Sequence, residues 1–204
     1  MKQSSLYWKG GKEKRLQENM THMNDSNQGL GSLQQHLDIP EWVFSDEEWV
    51  CSDEVSVNFF GGKPLRFVIT DPLPNPNLVQ QIERALQNFF QLDTHYRDSL
   101  SDLVYESYEK TLDAVDMDPL ELSTKEDIWK YVYPTEVYIS QRDRRDEAIY
   151  VQVACECEWE VEHGLQLVFK DGARITRVSQ QDGHLTTADA YDIPDSEDPL
   201  LSAI

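Results

Sequence analysis

The fold is decided by one stretch of sequence, residues 149–160, which reads IYVQVACECEWE. From Ile149 to Trp159 an apolar or thiol side chain occurs at every second position, and the positions between them are largely polar. A strict period of two is typical of a β-strand with one buried face and one polar face. The stretch therefore predicts a long strand that packs by one face on a hydrophobic core.

Shorter strand patterns occur on both sides of this stretch. Residues 55–59 and 65–69 alternate around a Gly-Gly-Lys-Pro turn, which predicts a hairpin. A short strand is expected at 136–140. After the long strand, an Asp-Gly pair is a type I′ turn signal, and it predicts that the strands at 165–169 and 175–178 form a second hairpin.

Helical patterns lie between the first hairpin and the later strands. Apolar residues at helical spacing predict an amphipathic helix over 78–91 and a second helix over 96–112. Ser123 with Glu126 forms a capping box, which predicts a short third helix that ends before Pro134. Strands, then helices, then strands predict an α+β fold, with two to three helices packed on one face of a mainly antiparallel sheet.

Composition divides the chain into three parts. Residues 1–37 are polar and lack periodicity, so they predict a flexible leader. Residues 38–184 carry all the strand and helix patterns and predict a single domain. Residues 185–204 are rich in carboxylates and predict a solvated acidic tail. The leader also contains internal methionines, so translation has three candidate starts, Met1, Met20 and Met23.

The charge of the chain favours some classes of partner and disfavours others. The 204 residues carry a formal net charge of -20, which repels nucleic acid and anionic membranes and attracts basic proteins. No apolar run is long enough for a membrane span or a secretory signal. Three cysteines without a framework spacing indicate a reduced, cytoplasmic protein. The one internal basic cluster, Arg142, Arg144 and Arg145, is expected in an exposed loop between strands.

Residues 157–164, CEWEVEHG, concentrate more side-chain chemistry than any other stretch. Cys155 and Cys157 share the apolar face of the long strand, so we expect them to be buried rather than to bind a metal, and we assign no cofactor. Glu160, Glu162 and His163 have two interpretations. In the architectural interpretation, Glu162 and His163 hold a turn by hydrogen bonds to its backbone, and Gly164 supplies a positive φ. In the catalytic interpretation, the three residues divide acid and base roles in an enzyme.

The helix predicted over 96–112 has an acidic outer face. These carboxylates are the candidate contacts for a basic partner, because exposed charge of one sign steers a partner of the opposite sign. The candidate residues are Asp98, Asp102, Glu106, Glu109 and Asp113.

The later part of the chain resembles a known family. The pattern Cys-x-Trp-Glu-x-Glu-His-Gly-Leu over 157–165, after the strand from 149, resembles the C-terminal signature of the bacterial domains of unknown function named DUF6985. The hairpin, the helical middle and the strand at 134–139 also resemble that family, over roughly residues 42–184. The signature positions are Cys157, Trp159, Glu160, Glu162, His163 and Gly164. The resemblance implies an α+β domain without established catalytic residues, and some members resemble, by genomic setting, immunity proteins paired with toxins.

These observations favour one function over two alternatives. The first hypothesis is a non-enzymatic, acidic protein-binding domain, in particular an immunity protein that neutralises a cognate basic toxin. One alternative is a hydrolase or metal-dependent enzyme centred on Glu160, Glu162 and His163. The other is a regulatory or scaffold domain that binds a different protein. The oligomeric state stays open.

Overall fold

The computed structural model describes residues 42–44, 49–71, 76–115 and 117–202. The predicted leader, residues 1–37, and the candidate starts Met1, Met20 and Met23 lie outside the described residues.

A seven-stranded sheet forms the centre of the described part of the chain, and its strands are ordered in space as they are in sequence. The strands are β1 Trp42–Phe44, β2 Val50–Val57, β3 Lys63–Ile69, β4 Val132–Gln141, β5 Ile149–Cys157, β6 Leu165–Lys170 and β7 Arg174–Ser179. Both predicted hairpins are confirmed, and Asp171 and Gly172 have the positive φ values that a type I′ turn requires.

The α+β class is confirmed, but the sheet is mixed rather than mainly antiparallel. Strands β3 and β4 run parallel, with Phe67 opposite Val137, whereas the other neighbours run antiparallel. Parallel neighbours need a long crossover connection, and the helical middle of the chain provides it. The described residues also contain more helices than the two to three predicted. They are α1 Pro76–Gln91, α2 Thr94–Ser99, α3 Ser101–Ala114, α4 Thr187–Tyr191 and α5 Pro199–Ser202, with 3-10 helices at Asn58–Phe60, Lys125–Tyr131 and Asp195–Glu197.

Two helix boundaries differ from the sequence prediction. The helix predicted over 96–112 is divided at Leu100, whose backbone leaves the helical region and whose N–H donates to the carbonyl oxygens of Arg97 and Asp98. The capping box is formed by Thr124 and Asp127 rather than by Ser123 and Glu126, and the Asp127 carboxylate accepts the N–H groups of residues 123 and 124. A shift of one residue in a cap is within the resolution of sequence patterns.

The hydrophobic core lies between the helices and one face of the sheet. Ile82, Leu86 and Phe89 of α1 are fully buried in it, together with Phe67 and Phe169 from the strands. Burial of each such side chain stabilises the fold by about 1.5–3 kcal/mol. The turn between β6 and β7 approaches α1 so closely that a Cβ on Gly172 would overlap the Ala85 carbonyl, so only glycine fits there.

The opposite face of β5, β6 and β7 is also covered. Tyr150 of β5 and Val168 of β6 point away from the core cluster, yet both are fully buried. Residues 185–202, which we name the C-terminal strap, are hydrogen-bonded to β7 and to Arg142. The carbonyl oxygens of Leu185 and Thr186 accept hydrogen bonds from side chains of β7 at 3.2 and 3.3 Å. The acids of this segment are therefore not uniformly solvated as expected: Asp198 is fully buried, whereas Asp192 and Glu197 are exposed.

Candidate functional site

A stripe of carboxylates runs along the outer side of α2 and α3. Val104 and Tyr108 anchor the inner side of α3 in the core. The four acids of α3 are spaced by four, three and four residues, which places them on one side of a helix. The acidic stripe consists of Asp98, Asp102, Glu106, Glu109 and Asp113, and all five residues are exposed. The structure therefore places the five predicted contact residues on one surface.

Three acids of the stripe already have basic neighbours. The Asp98 carboxylate lies 2.7 Å from a guanidinium nitrogen of Arg97. The carboxylates of Asp102 and Glu106 lie 2.7 and 2.9 Å from the ammonium groups of Lys125 and Lys110. These pairs are largely exposed to solvent, and exposed ion pairs contribute little stability, typically 0–1 kcal/mol. A partner's cations can therefore replace the neighbouring lysines at little cost.

The inner side of α3 is held rigidly. The Trp129 indole N–H donates to the Ser101 hydroxyl at 2.9 Å, and the Tyr108 hydroxyl accepts the N–H of Leu120 at 3.0 Å. The Tyr108 ring also packs edge-on against Trp159, with 5.9 Å between the ring centroids. Since Trp159 belongs to the sequence signature, this contact joins the acidic helix to the signature turn.

The signature residues hold a compact turn between β5 and β6. The Glu160 carboxylate accepts the N–H of His163 at 3.2 Å, and the Glu160 carbonyl accepts the N–H of Gly164 at 2.8 Å. Gly164 has a positive φ of 65°, and a Cβ at this position would overlap the Cys155 carbonyl. Glu160 and Gly164 therefore have an architectural role in this turn.

The turn brings together only two of the three residues considered for acid-base chemistry. The Nδ1 of His163 lies 3.4 Å from the Glu160 carboxylate, whereas Glu162 is exposed at the tip of the turn. Its neighbour Val161 is also exposed, at 89%. Among the described residues, the carboxylate that hydrogen-bonds the backbone of this turn is that of Glu160, whereas we expected the side chains of Glu162 and His163 to do so.

The predicted burial of the two thiols and of the indole that follows them is confirmed. Cys155, Cys157 and Trp159 are all buried in the core cluster. Burial raises the pKa of both thiols, that of Cys157 to about 11. A thiol with such a pKa is protonated at neutral pH and behaves as a small apolar side chain. Within the described ranges, no group of three or more His, Cys, Asp or Glu side chains is arranged to hold a metal ion.

Sequence reasoning missed a cluster of charges where the strap meets the sheet. Arg142 is buried, with 3% of its side chain exposed, although we expected it in an exposed loop. Its guanidinium donates to the carboxylate of Asp189 at 2.8 Å and to that of Asp195 at 2.7 Å. Arg145 donates to Asp195 as well, at 2.8 Å. One signal in the sequence could have indicated this contact: the chain has a single internal basic cluster, and its C-terminal segment has many acidic residues and no Lys or Arg.

Two carboxylates near Arg142 have lowered pKa values: those of Asp195 and of Asp146, which lies 3.5 Å from a guanidinium nitrogen of Arg142. The hydrogen bond from Arg142 is the main reason that the pKa of Asp195 lies below its usual value. For Asp146, burial raises the pKa, but hydrogen bonds from Lys170 and Tyr150 outweigh that effect, so the pKa is lowered. An open pocket of about 400 Å³ lies beside the cluster, between the ends of β6 and β7 and the strap.

A search of the described residues for membrane spans finds no helix that is both long and apolar enough to cross a bilayer. Comparison with family models matches residues 36–185 to DUF6985, a domain of unknown function. The chain belongs to this family. Neither a search of curated proteins nor a search of solved structures gives a match.

Proposed function

We propose that this member of the DUF6985 family is a non-enzymatic binding protein that docks a basic partner on its acidic stripe. We further propose that the partner is a toxin, which this protein neutralises by occlusion. The observation that carries the proposal is the row of exposed carboxylates on a helix whose other side is fixed in the core. The net charge of -20 supports it, because the field of the whole molecule speeds encounter with a basic protein.

The geometry of the stripe defines what it fits. At a rise of about 1.5 Å per residue, the carboxylates from Asp102 to Asp113 span about 16 Å along the helix axis. Glu109 and Asp113 form no ion pair with the described residues, so they are ready to receive cations. A partner that presents lysines or arginines over a similar length matches the stripe in charge and size.

A toxin that acts on nucleic acid is a suitable partner of this kind. Such proteins contact phosphates through lysine and arginine side chains, so their active surfaces are basic. An acidic helix laid over that surface competes directly with the substrate. Electrostatic complementarity also gives fast association and excludes acidic proteins as partners.

Co-expression with the product of the adjacent open reading frame tests the proposal. We expect the wild-type chain to rescue the growth of cells that express the neighbouring protein. A stripe variant, in which the five acids become amides, should fail to rescue. Its substitutions are Asp98→Asn, Asp102→Asn, Glu106→Gln, Glu109→Gln and Asp113→Asn.

A charge-matched variant provides the control. It neutralises five exposed acids outside the stripe, so its net charge equals that of the stripe variant. Its substitutions are Asp53→Asn, Glu54→Gln, Glu156→Gln, Asp192→Asn and Glu197→Gln, all at exposed positions. Rescue by this control, but not by the stripe variant, supports docking on the stripe. Equal rescue by both variants contradicts it, and failure of the wild-type chain contradicts the toxin assignment.

A further inference from the structure

The strap is fastened to the sheet mainly by charge. Arg142 extends from the end of β4 and contacts two carboxylates that follow it by 47 and 53 residues. The Nε group donates to Asp189 at 2.9 Å, and the Nη1 group donates to Asp195 at 2.8 Å. The Thr186 hydroxyl accepts a further hydrogen bond from Arg142 at 3.1 Å. One buried side chain therefore holds three residues of the strap.

The strap is also tied together internally. The fully buried Asp198 carboxylate accepts the N–H of Ala188 in α4 at 2.9 Å. Its other oxygen accepts the N–H groups of Leu200 and Leu201 in α5, at 3.0 and 3.2 Å. Because one carboxylate caps both short helices, the strap is expected to move as a unit rather than to fray residue by residue.

The strap contributes little to the hydrophobic core. Among the described residues of the strap, the only buried apolar side chains are Ala188 and Leu201. Neither belongs to the core cluster, which lies on the opposite face of the sheet. Regions that bury few apolar contacts open at lower free energy than the core. Opening of the strap therefore leaves the packing between the helices and the sheet intact.

We propose that the strap is a cover that opens and closes over the second face of the sheet while the domain stays folded. Arg142 is the residue that holds the strap closed. In the closed state Tyr150 and Val168 are fully buried, and Arg142, which the strap binds, lies over the Tyr150 ring, 5.9 Å from its centroid. In the open state these side chains become accessible on the strands. The family match ends at residue 185, so residues 186–202 of the strap lie outside the matched range. This proposal does not depend on the acidic stripe.

Native-state hydrogen exchange on the full chain tests the proposal without any substitution. The amides of Ala190, Ile193 and Ser202 are hydrogen-bonded inside the strap, and they report its opening. They should exchange faster than the amides of α1 and β5, and their exchange should depend only weakly on added denaturant. A weak dependence means that little surface is exposed. If strap and core amides exchange at the same rate and with the same dependence on denaturant, the strap and the core unfold together, and the proposal is overturned.

A pair of variants tests whether the contact between Arg142 and Asp195 holds the strap closed. Asp195→Asn removes one carboxylate from Arg142, and Asp192→Asn removes a fully exposed carboxylate that lies 3.7 Å from Arg145. Strap amides should exchange at least about tenfold faster in Asp195→Asn, the factor that follows from losing a hydrogen bond to a charged group. The amides of α1 and β5 should be unchanged, and Asp192→Asn should match the wild type. No acceleration in Asp195→Asn, or equal acceleration of strap and core, contradicts the proposal.

Discussion

Replacing Gly164 by alanine is expected to destabilise the protein strongly, because the signature turn leaves no room for a side chain. Gly164 has a φ of 65°, a region that costs an L-residue about 1–2 kcal/mol. In addition, the new methyl group would overlap the Cys155 carbonyl and press on the Gln181 amide. Forcing extra atoms into a packed site costs about 1–3 kcal/mol more. The free energy of unfolding should therefore fall by about 2–5 kcal/mol.

Gly183 provides a matched control for this substitution. Its φ is 78°, so alanine there pays a similar conformational cost, but nothing lies within 4 Å of the added Cβ. Urea unfolding followed by circular dichroism measures both variants. The free energy of unfolding should fall by about 1–2 kcal/mol in Gly183→Ala, and it should fall further in Gly164→Ala. If the two losses are equal, the close contact beneath Gly164 does not exist and the architectural role of the signature turn is refuted.

Three further predictions concern charge and burial. The hydrogen bond from Arg142 lowers the pKa of Asp195 below 3.8 in the folded protein. The ionised carboxylate therefore stabilises the fold above pH about 4, and this stabilisation is lost as the pH falls through the pKa of Asp195 in the folded state. Urea midpoints of the wild type and Asp195→Asn should therefore converge as the pH falls below 4, and a constant difference contradicts the assignment. Cys155 and Cys157 should resist alkylation at pH 8 in the folded protein and react in urea, since they are buried with raised pKa values; rapid native labelling would refute this. The stripe variant should unfold within about 1 kcal/mol of the wild type, because its ion pairs are exposed, and a larger loss would show a structural role.

Local patterns in the sequence predicted the elements that local physics controls. The alternation from Ile149 predicted both β5 and the inward orientation of Cys155, Cys157 and Trp159, because side chains of a strand point to opposite faces in turn. The helical spacing over 78–91 likewise predicted α1, which begins two residues earlier. These predictions needed only information from neighbouring residues.

Pairings between distant residues could not be predicted in the same way. The parallel pairing of β3 with β4 joins segments on either side of the helical middle, and no local pattern encodes it. The burial of Arg142 depends on Asp189 and Asp195, each of which taken alone resembles a solvated surface residue. The acidic composition of the strap predicted exposure. Asp192 and Glu197 are exposed, whereas Asp189 pairs with Arg142 and Asp198 is buried within the strap.

The acidic stripe was predicted as a surface, and the structure shows that its five residues are exposed together. Sequence periodicity sufficed for this result because α3 is amphipathic, with Val104 and Tyr108 buried on the opposite side. The division of the helix at Leu100 was missed, since it depends on the packing of a single residue.

The affinity of the purified protein for the product of the adjacent reading frame tests the docking proposal most directly. Calorimetric titrations of the wild type, the stripe variant and the charge-matched control at low and high salt separate local contacts from overall charge. Docking on the stripe predicts that the stripe variant binds at least about tenfold more weakly than the control, with a smaller dependence on salt. Equal dissociation constants for the two variants would place the contact elsewhere on the molecule and contradict the proposal.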